Sequence, residues 1–110
     1  MVKKGNQQII KTKKFIKEYI SLLREDSLPI ERIYFYGSRV NGNYKKGSDI
    51  DVCIVSPKFK SRWDAFDYLW SKRRKIDVLR GIEPVGYPLK DFIDEDPLVY
   101  EIKKTGVEIK

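Results

Sequence analysis

Two short apolar stretches separated by a glycine-containing loop constrain this chain more than any other feature. Residues 33–36 are apolar or aromatic, and they end at Gly37. In the second stretch, apolar residues alternate with a second set of positions that begins with two aspartates. Ile50, Val52 and Ile54 alternate with Asp49, Asp51 and Cys53. Short apolar runs bounded by turn residues predict β-strands. We therefore predict one strand at residues 31–36 and a second at residues 50–55, joined by a loop.

The loop between these strands begins with residues suited to binding phosphate. Gly37 lets the backbone turn sharply and approach a ligand closely, because it has no Cβ. Ser38 adds a hydroxyl beside backbone N–H groups, and Arg39 adds a guanidinium fork that matches phosphate oxygens. Ser48, at the far end of the loop, is a fourth candidate phosphate ligand. An ordinary turn with a capping serine would also explain Gly37 and Ser38 taken alone.

Asp49 and Asp51 form a candidate metal site at the start of the second strand. Side chains alternate along a strand, so these two point the same way with Cα atoms about 6.5 Å apart. Two hard carboxylates at this spacing suit Mg²⁺ ions that also bind nucleotide phosphates. The alternative is a solvent-facing strand edge, although two aspartates on one face repel each other unless a cation intervenes. The same face continues to Cys53 and Val55, so it should become buried away from the carboxylates.

A family resemblance rests on the whole pattern of Gly37-Ser38, ten further residues, then Asp49-Ile50-Asp51. With strands before and through it, this pattern resembles the nucleotidyltransferase superfamily that includes DNA polymerase beta and the aminoglycoside nucleotidyltransferases. Over nearly its whole length the chain is most similar to the minimal nucleotidyltransferases. These small catalytic domains are typically encoded beside a HEPN-domain protein as antitoxin and toxin.

The resemblance implies both a fold and a reaction. The fold would be a polymerase beta-like α/β (α+β) domain, a small mixed sheet flanked by helices. The reaction would move a nucleoside monophosphate, AMP from ATP, onto a hydroxyl with two Mg²⁺ ions as cofactors. The partner would be a HEPN protein, a helical ribonuclease toxin, with a tyrosine as acceptor.

The resemblance also implies a third carboxylate on a neighbouring strand, as metal ligand and general base. Asp77 matches this place, because residues 75–79 alternate in the manner of a third strand. Glu83 is the alternative, since strand pairing cannot be derived from the sequence. The predicted catalytic and metal-binding set is therefore Asp49, Asp51 and Asp77.

Composition limits the remaining possibilities. The 110 residues, 41% of them apolar, predict one domain with a modest core, residues 1–110. The chain has no histidine and a single cysteine, Cys53, which excludes zinc and histidine chemistry and suits a reducing cytoplasm. No apolar run is long enough to span a membrane. The net charge of +7 points to anionic partners.

Periodicity predicts the other elements. Residues 8–25 form an amphipathic helix, and a second helix carries Phe59, Trp63, Phe66, Leu69 and Trp70 on one face before the basic run 72–75. Two short helices are predicted at residues 88–93 and 97–104, with Gly106 as the C-cap of the latter.

Two other functions compete with the enzyme. The chain could be a non-catalytic nucleotide-binding antitoxin or regulatory module that masks its partner by contact. It could also be a basic nucleic-acid-binding domain, although its lysines and arginines are spread along the chain.

Overall fold

The computed structural model describes residues 4–37, residue 40 and residues 49–110, with side chains from residue 8 onward in those ranges. The predictions for the first two helices, the first two strands and the last helix are confirmed to within a few residues. In chain order the elements are α1 (Lys4–Glu25), β1 (Arg32–Tyr36), β2 (Ile50–Ser56), α2 (Arg62–Ser71), α3 (Lys75–Leu79), β3 (Ile82–Pro88), a 3₁₀ helix (Leu89–Asp91), α4 (Pro97–Thr105) and β4 (Val107–Glu108).

The strands form a mixed four-stranded sheet in the order β3–β2–β1–β4. β1 lies antiparallel to β2 and to β4, whereas β2 and β3 are parallel. A parallel pair needs a crossover connection, and here α2 and α3 supply it. A small mixed sheet flanked by helices confirms the predicted fold class.

The two faces of the sheet support separate hydrophobic clusters. One cluster lies between the sheet and α1 with α2, and it includes Tyr19, Val52 and Leu69. The other lies against α4 and the 3₁₀ helix, and it includes Cys53 and Val99. Successive strand residues point to opposite faces, so Val52 and Cys53 belong to different clusters. Asp51 therefore shares the α4 face of the sheet with Cys53.

The helix α2 packs closely on β3 through small side chains. A Cβ at Gly86 would lie 2.5 Å from the Ala65 Cβ and 2.8 Å from a Leu69 methyl carbon. Ala65 and Leu69 are fully buried, whereas Trp63 is 74% exposed and Phe66 is 42% exposed. The prediction of a single apolar face carrying Phe59, Trp63, Phe66, Leu69 and Trp70 is therefore wrong. Phe59 precedes α2, Leu69 faces the sheet, and Trp63 and Phe66 face outward.

The predicted strand at residues 75–79 is wrong, because these residues form α3. Ile76 and Val78 are 42% and 50% exposed while Asp77 between them is fully buried, the reverse of a strand with an apolar buried face. The Asp77 carboxylate accepts a hydrogen bond from the Arg74 backbone N–H and so closes the first turn of the helix. The helix cap made by Asp77 therefore favours a helix at these residues, although their alternating apolar side chains predict a strand.

The third strand lies further along, at Ile82–Pro88, after Gly81 turns the chain with a φ of 79°. Two prolines, Pro84 and Pro88, obscure this strand in the sequence. β3 is an edge strand, where alternate N–H groups have no ladder partner and proline is tolerated. The predicted helix at residues 88–93 is reduced to the single 3₁₀ turn.

At the C-terminal end, Gly106 caps α4 as predicted by donating its N–H to the Ile102 carbonyl oxygen at 2.8 Å. Its φ of −80° is extended rather than left-handed, because the chain continues directly into β4. Within the described ranges, no helix combines the length and the apolar character needed to cross a bilayer.

Candidate functional site

Three polar side chains form a row across the α4 face at one end of the sheet. Tyr36 is the register partner of Asp51, and Asp51 is the register partner of Glu83 on β3. Paired residues of neighbouring strands point to the same face, with their Cα atoms about 5 Å apart. The parallel pairing of β2 and β3 thus sets two carboxylates side by side.

Asp49, directly before β2, joins this row. Burial raises the pKa of Glu83, and the charge of Asp49 with a hydrogen bond between the two carboxyl groups raises it further. The Arg73 guanidinium acts in the opposite direction but does not cancel the rise. Neighbouring carboxylates repel each other, which favours the protonated form of Glu83, and a bound cation would relieve that repulsion.

Gly37 packs directly against this carboxylate cluster. Its φ is +90°, in the region that favours glycine, and a Cβ built there would overlap an Asp51 carboxylate oxygen. The Gly37 carbonyl accepts a hydrogen bond from the Val40 N–H at 3.1 Å, so the chain turns sharply after β1. The glycine predicted to start the phosphate loop therefore lies next to the predicted metal ligand.

The α4 face closes along the strands, as the alternation after Asp51 predicted. Asp51 and Glu83 are half-buried, whereas Cys53 and Tyr87 are fully buried. Burial raises the pKa of the Cys53 thiol to about 12, so this cysteine is neutral and unreactive near neutral pH. The carboxylates therefore lie at the more exposed end of this face, and the hydrophobic cluster buries its other end.

Asp77 is not brought to this row. Both of its oxygens accept hydrogen bonds from the Arg74 guanidinium, each at 2.9 Å. Burial and then the negative charge of Asp77 raise the pKa of Tyr19, which belongs to the cluster on the α1 face. Asp77 therefore lies on the opposite side of the sheet from Asp51 and caps a helix there.

Ser38, Arg39 and Ser48 lie outside the described residues, and their phosphate-binding roles stay predictions. The structure describes the two ends of their loop, with Gly37 on one side and Asp49 on the other. Both of these described ends lie beside Asp51.

The donor chemistry fits Mg²⁺ held together with a nucleotide. Within the described ranges, no three His, Cys, Asp or Glu side chains form a ready-made metal cluster. Mg²⁺ typically binds through one or two carboxylates and completes its shell with water and substrate phosphates. Asp49 and Asp51 supply such a pair, and Glu83 adds a third oxygen donor nearby.

Two residues of the row were not in the predicted site. Glu83 was the alternative to Asp77, and its signal was the alternation after Gly81, which the prolines of β3 hid. In the sequence, Tyr36 is the end of an apolar strand and carries no signal of a site. Burial and the charge of Asp51 raise the pKa of its hydroxyl, so the phenol stays neutral beside the carboxylates.

Comparisons with known proteins agree with this geometry. Residues 13–108 match the sequence profile of the family described as nucleotidyltransferase domain. A Methanocaldococcus jannaschii protein named as a candidate protein adenylyltransferase is 31% identical over 108 residues, covering 93% of this chain and 99% of that protein. A crystal structure of a candidate nucleotidyltransferase from Sulfolobus solfataricus matches with a TM-score of 0.61 and 21% identity, covering 98% of this chain and 87% of that one. At that identity the structural match concerns the fold alone.

Proposed function

Because this chain belongs to the nucleotidyltransferase-domain family, we propose that it transfers AMP from ATP to a hydroxyl group of a partner protein. The observation that carries the proposal is the pairing of Asp51 with Glu83 beside Gly37, which joins a carboxylate pair to the start of the phosphate loop. The name of the Methanocaldococcus jannaschii relative, which specifies adenylyl transfer to protein, supports a protein acceptor.

Each part of the site has a role in this reaction. The loop after Gly37 would hold the triphosphate, with Ser38, Arg39 and Ser48 as its side-chain ligands. Asp49 and Asp51 would hold Mg²⁺, which when bound neutralises charge on the triphosphate and on the leaving pyrophosphate.

The transfer itself exchanges one bond to phosphorus for another. The acceptor oxygen bonds to the α-phosphorus, the bond to the oxygen bridging the β-phosphate breaks, and pyrophosphate leaves. The acceptor proton passes to Glu83, the carboxylate that β3 places beside Asp51. We thus assign the third carboxylate to Glu83 instead of Asp77.

The partner we propose is a HEPN-domain protein encoded beside this chain, with a tyrosine hydroxyl as acceptor and the chain acting as antitoxin. This part rests on the resemblance to minimal nucleotidyltransferases and on the net charge of +7, which favours an acidic partner. In the masking alternative, the chain would neutralise that partner by contact alone.

The test compares Glu83→Gln with Asp77→Asn in reactions containing ATP, Mg²⁺ and the purified HEPN-domain protein. Intact-mass measurement should show one or more added adenylyl groups with the parent chain. Glu83→Gln should still bind MgATP, but its transfer rate should fall by about 10²–10⁴-fold, the usual cost of losing a proton acceptor. Asp77→Asn should instead lower stability by about 1–3 kcal/mol through the weakened helix cap, while its folded fraction keeps the parent rate.

Two results would contradict the proposal. Loss of transfer in Asp77→Asn with intact nucleotide binding, together with an active Glu83→Gln, would return the third carboxylate to position 77. Full neutralisation of the toxic partner by Glu83→Gln without added nucleotide mass would support masking and reject the enzyme.

A further inference from the structure

Three aromatic rings and one guanidinium form a continuous stack on the outer face of α2, which we name the aromatic ladder. The ring centroids of Trp63 and Phe66 are 5.6 Å apart, and those of Phe66 and Trp70 are 5.0 Å apart, both in stacked geometry. The Arg73 guanidinium lies 3.9 Å from the Trp70 ring centroid and completes the stack. Trp63 and Phe66 are exposed, whereas Trp70 is half-buried against the core. Two large exposed rings side by side on a small domain point to a binding surface.

The aromatic ladder runs beside the edge strand towards the candidate site. The Trp70 indole N–H donates to the Pro84 carbonyl at 2.8 Å, and the Arg73 guanidinium donates to the Ile82 carbonyl at 3.3 Å. These two contacts lie on either side of Glu83 in β3. The positive charge of Arg73 lowers the pKa of Glu83, but burial and Asp49 raise it by more. A molecule docked on the ladder would lie next to the carboxylate row.

The same contacts exclude docking by an added strand. The backbone N–H and C=O groups of Gly81, Glu83 and Val85 point towards β2. This follows because the Ile50 N–H donates to the Gly81 carbonyl oxygen, and the direction of these groups alternates from residue to residue along the strand. The outward carbonyls of Ile82 and Pro84 are occupied by the ladder itself, and Pro84 has no N–H. Little of the edge is left for strand pairing, so a partner must bind through side chains.

The stacking also disfavours single-stranded nucleic acid. Bases bind proteins by stacking on free ring faces. Along the row, Phe66 has a ring neighbour on either side, and Trp70 lies between Phe66 and Arg73. The surface mainly offers ring edges, and their spacing of three and four residues matches the ridges by which helices pack.

Charge selects the kind of partner. Arg73, at the end of the ladder, forms no ion pair with any carboxylate of the described residues. The Arg62 guanidinium instead lies 4.0 Å from the centroid of the Tyr87 ring. Asp64 accepts a hydrogen bond from the Lys60 N–H at the helix start, which leaves Asp67 as the other carboxylate of α2. With a net charge of +7, a second copy of the chain would be repelled, whereas an acidic protein would be attracted.

We propose that the aromatic ladder docks the apolar stripe of a helix in an acidic partner protein, and thereby presents that partner's hydroxyl to the carboxylate row. The inference rests on the proposed function in one respect, namely that the docked partner is also the acceptor of the nucleotide. The docking itself can be measured without catalysis.

The binding test uses the fact that Trp63 and Trp70 are the two tryptophans of the chain. The protein labelled with 5-fluorotryptophan should give two ¹⁹F resonances, assigned with Trp63→Phe. Adding the unlabelled HEPN-domain protein should shift or broaden the Trp63 resonance. A single strand of twenty deoxythymidines, and a tenfold rise in the concentration of the chain itself, should leave that resonance unchanged.

The kinetic test uses Trp63→Ala with Phe66→Ala and, as control, Tyr100→Ala, an aromatic residue 53% exposed on α4. Removing two exposed interface aromatics should raise the KM for the protein acceptor about tenfold or more. The rate at saturating acceptor and the affinity for MgATP should stay at parental values, and Tyr100→Ala should match the parent throughout.

The outcomes separate this inference from the proposed function. An unmoved Trp63 resonance with the HEPN-domain protein, or an unchanged KM in the double variant, overturns the docking surface. A shift caused by the oligonucleotide replaces the protein partner with nucleic acid, and a shift on self-association replaces it with a second copy. If the resonance moves with the partner but the parent chain transfers no nucleotide, docking stands and the proposed reaction fails.

Discussion

Gly37 serves both the backbone and the site at the scale of a single residue. Its left-handed φ of +90° turns the chain after β1, and its lack of a side chain leaves room for the Asp51 carboxylate. The sequence predicted the sharp turn at Gly37, but the close approach of the Asp51 carboxylate is visible only once β1 and β2 are paired. The glycine therefore positions a predicted metal ligand as well as opening the phosphate loop.

Gly37→Ala should combine a backbone cost with displacement of Asp51. The left-handed conformation should cost alanine about 1–2 kcal/mol of stability. Shifting the carboxylate should also lower the transfer rate by about 10²-fold, the scale expected for a misplacement near 1 Å. Gly81→Ala is the matched control, because its φ of 79° carries the same backbone cost. Denaturant unfolding should show that both variants are destabilised, and transfer assays should show a slower rate for Gly37→Ala alone. Equal transfer rates in the two variants would contradict the role given to Gly37.

The contact of α2 with β3 matters at the scale of elements, because it holds the edge strand that carries Glu83. Gly86 and Ala65 bring the helix close enough for Trp70 and Arg73 to reach the edge carbonyls. Without that approach the aromatic ladder would not lie beside the strand. A pair of small residues on two elements thus positions both the third carboxylate and the proposed docking surface.

Gly86→Ala should push α2 away from β3 and destabilise the fold by about 1–3 kcal/mol, the usual cost of overpacking. The new Cβ would lie 2.5 Å from the Ala65 Cβ, which cannot move aside by a rotamer change. Ala65→Gly alone should also destabilise, by about 1 kcal/mol through helix propensity. Combined with Gly86→Ala it should recover part of the loss. Strictly additive free energies of unfolding in this cycle would show that the two positions do not touch.

At the scale of the whole molecule, the sheet sets Asp51 beside Glu83, and Glu83 is hydrogen-bonded to Asp49, in a chain whose net charge is +7. The raised pKa of Glu83 means that the folded state holds a proton more tightly than the unfolded state. Stability from that proton is full below the ordinary pKa of 4.5 and is lost as the pH rises through the folded value. Metal-free protein should therefore lose part of its stability in this range, and Mg²⁺ should restore it at higher pH.

Asp49→Asn should reduce this loss, because it removes the charge next to Glu83. Thermal melting of the metal-free variant should show a higher Tm than the parent above the titration range, and a smaller gain from Mg²⁺. Asp67→Asn, which removes an exposed carboxylate on α2, controls for net charge. A Tm difference that is the same for both variants would assign the effect to overall charge instead of to the cluster.

The sequence by itself determined the elements whose signals are local. Apolar periodicity depends on neighbouring residues, so α1, β1, β2 and α4 were predictable, as were Gly37, Asp49 and Asp51 at their ends. Which carboxylate lies beside Asp51 was decided only by the tertiary structure. Asp77 lies in a stretch that alternates like a strand, but Arg74 captures it as a helix cap. Glu83 lies in a proline-containing stretch that becomes a strand because β2 supplies hydrogen bonds from a distant part of the chain.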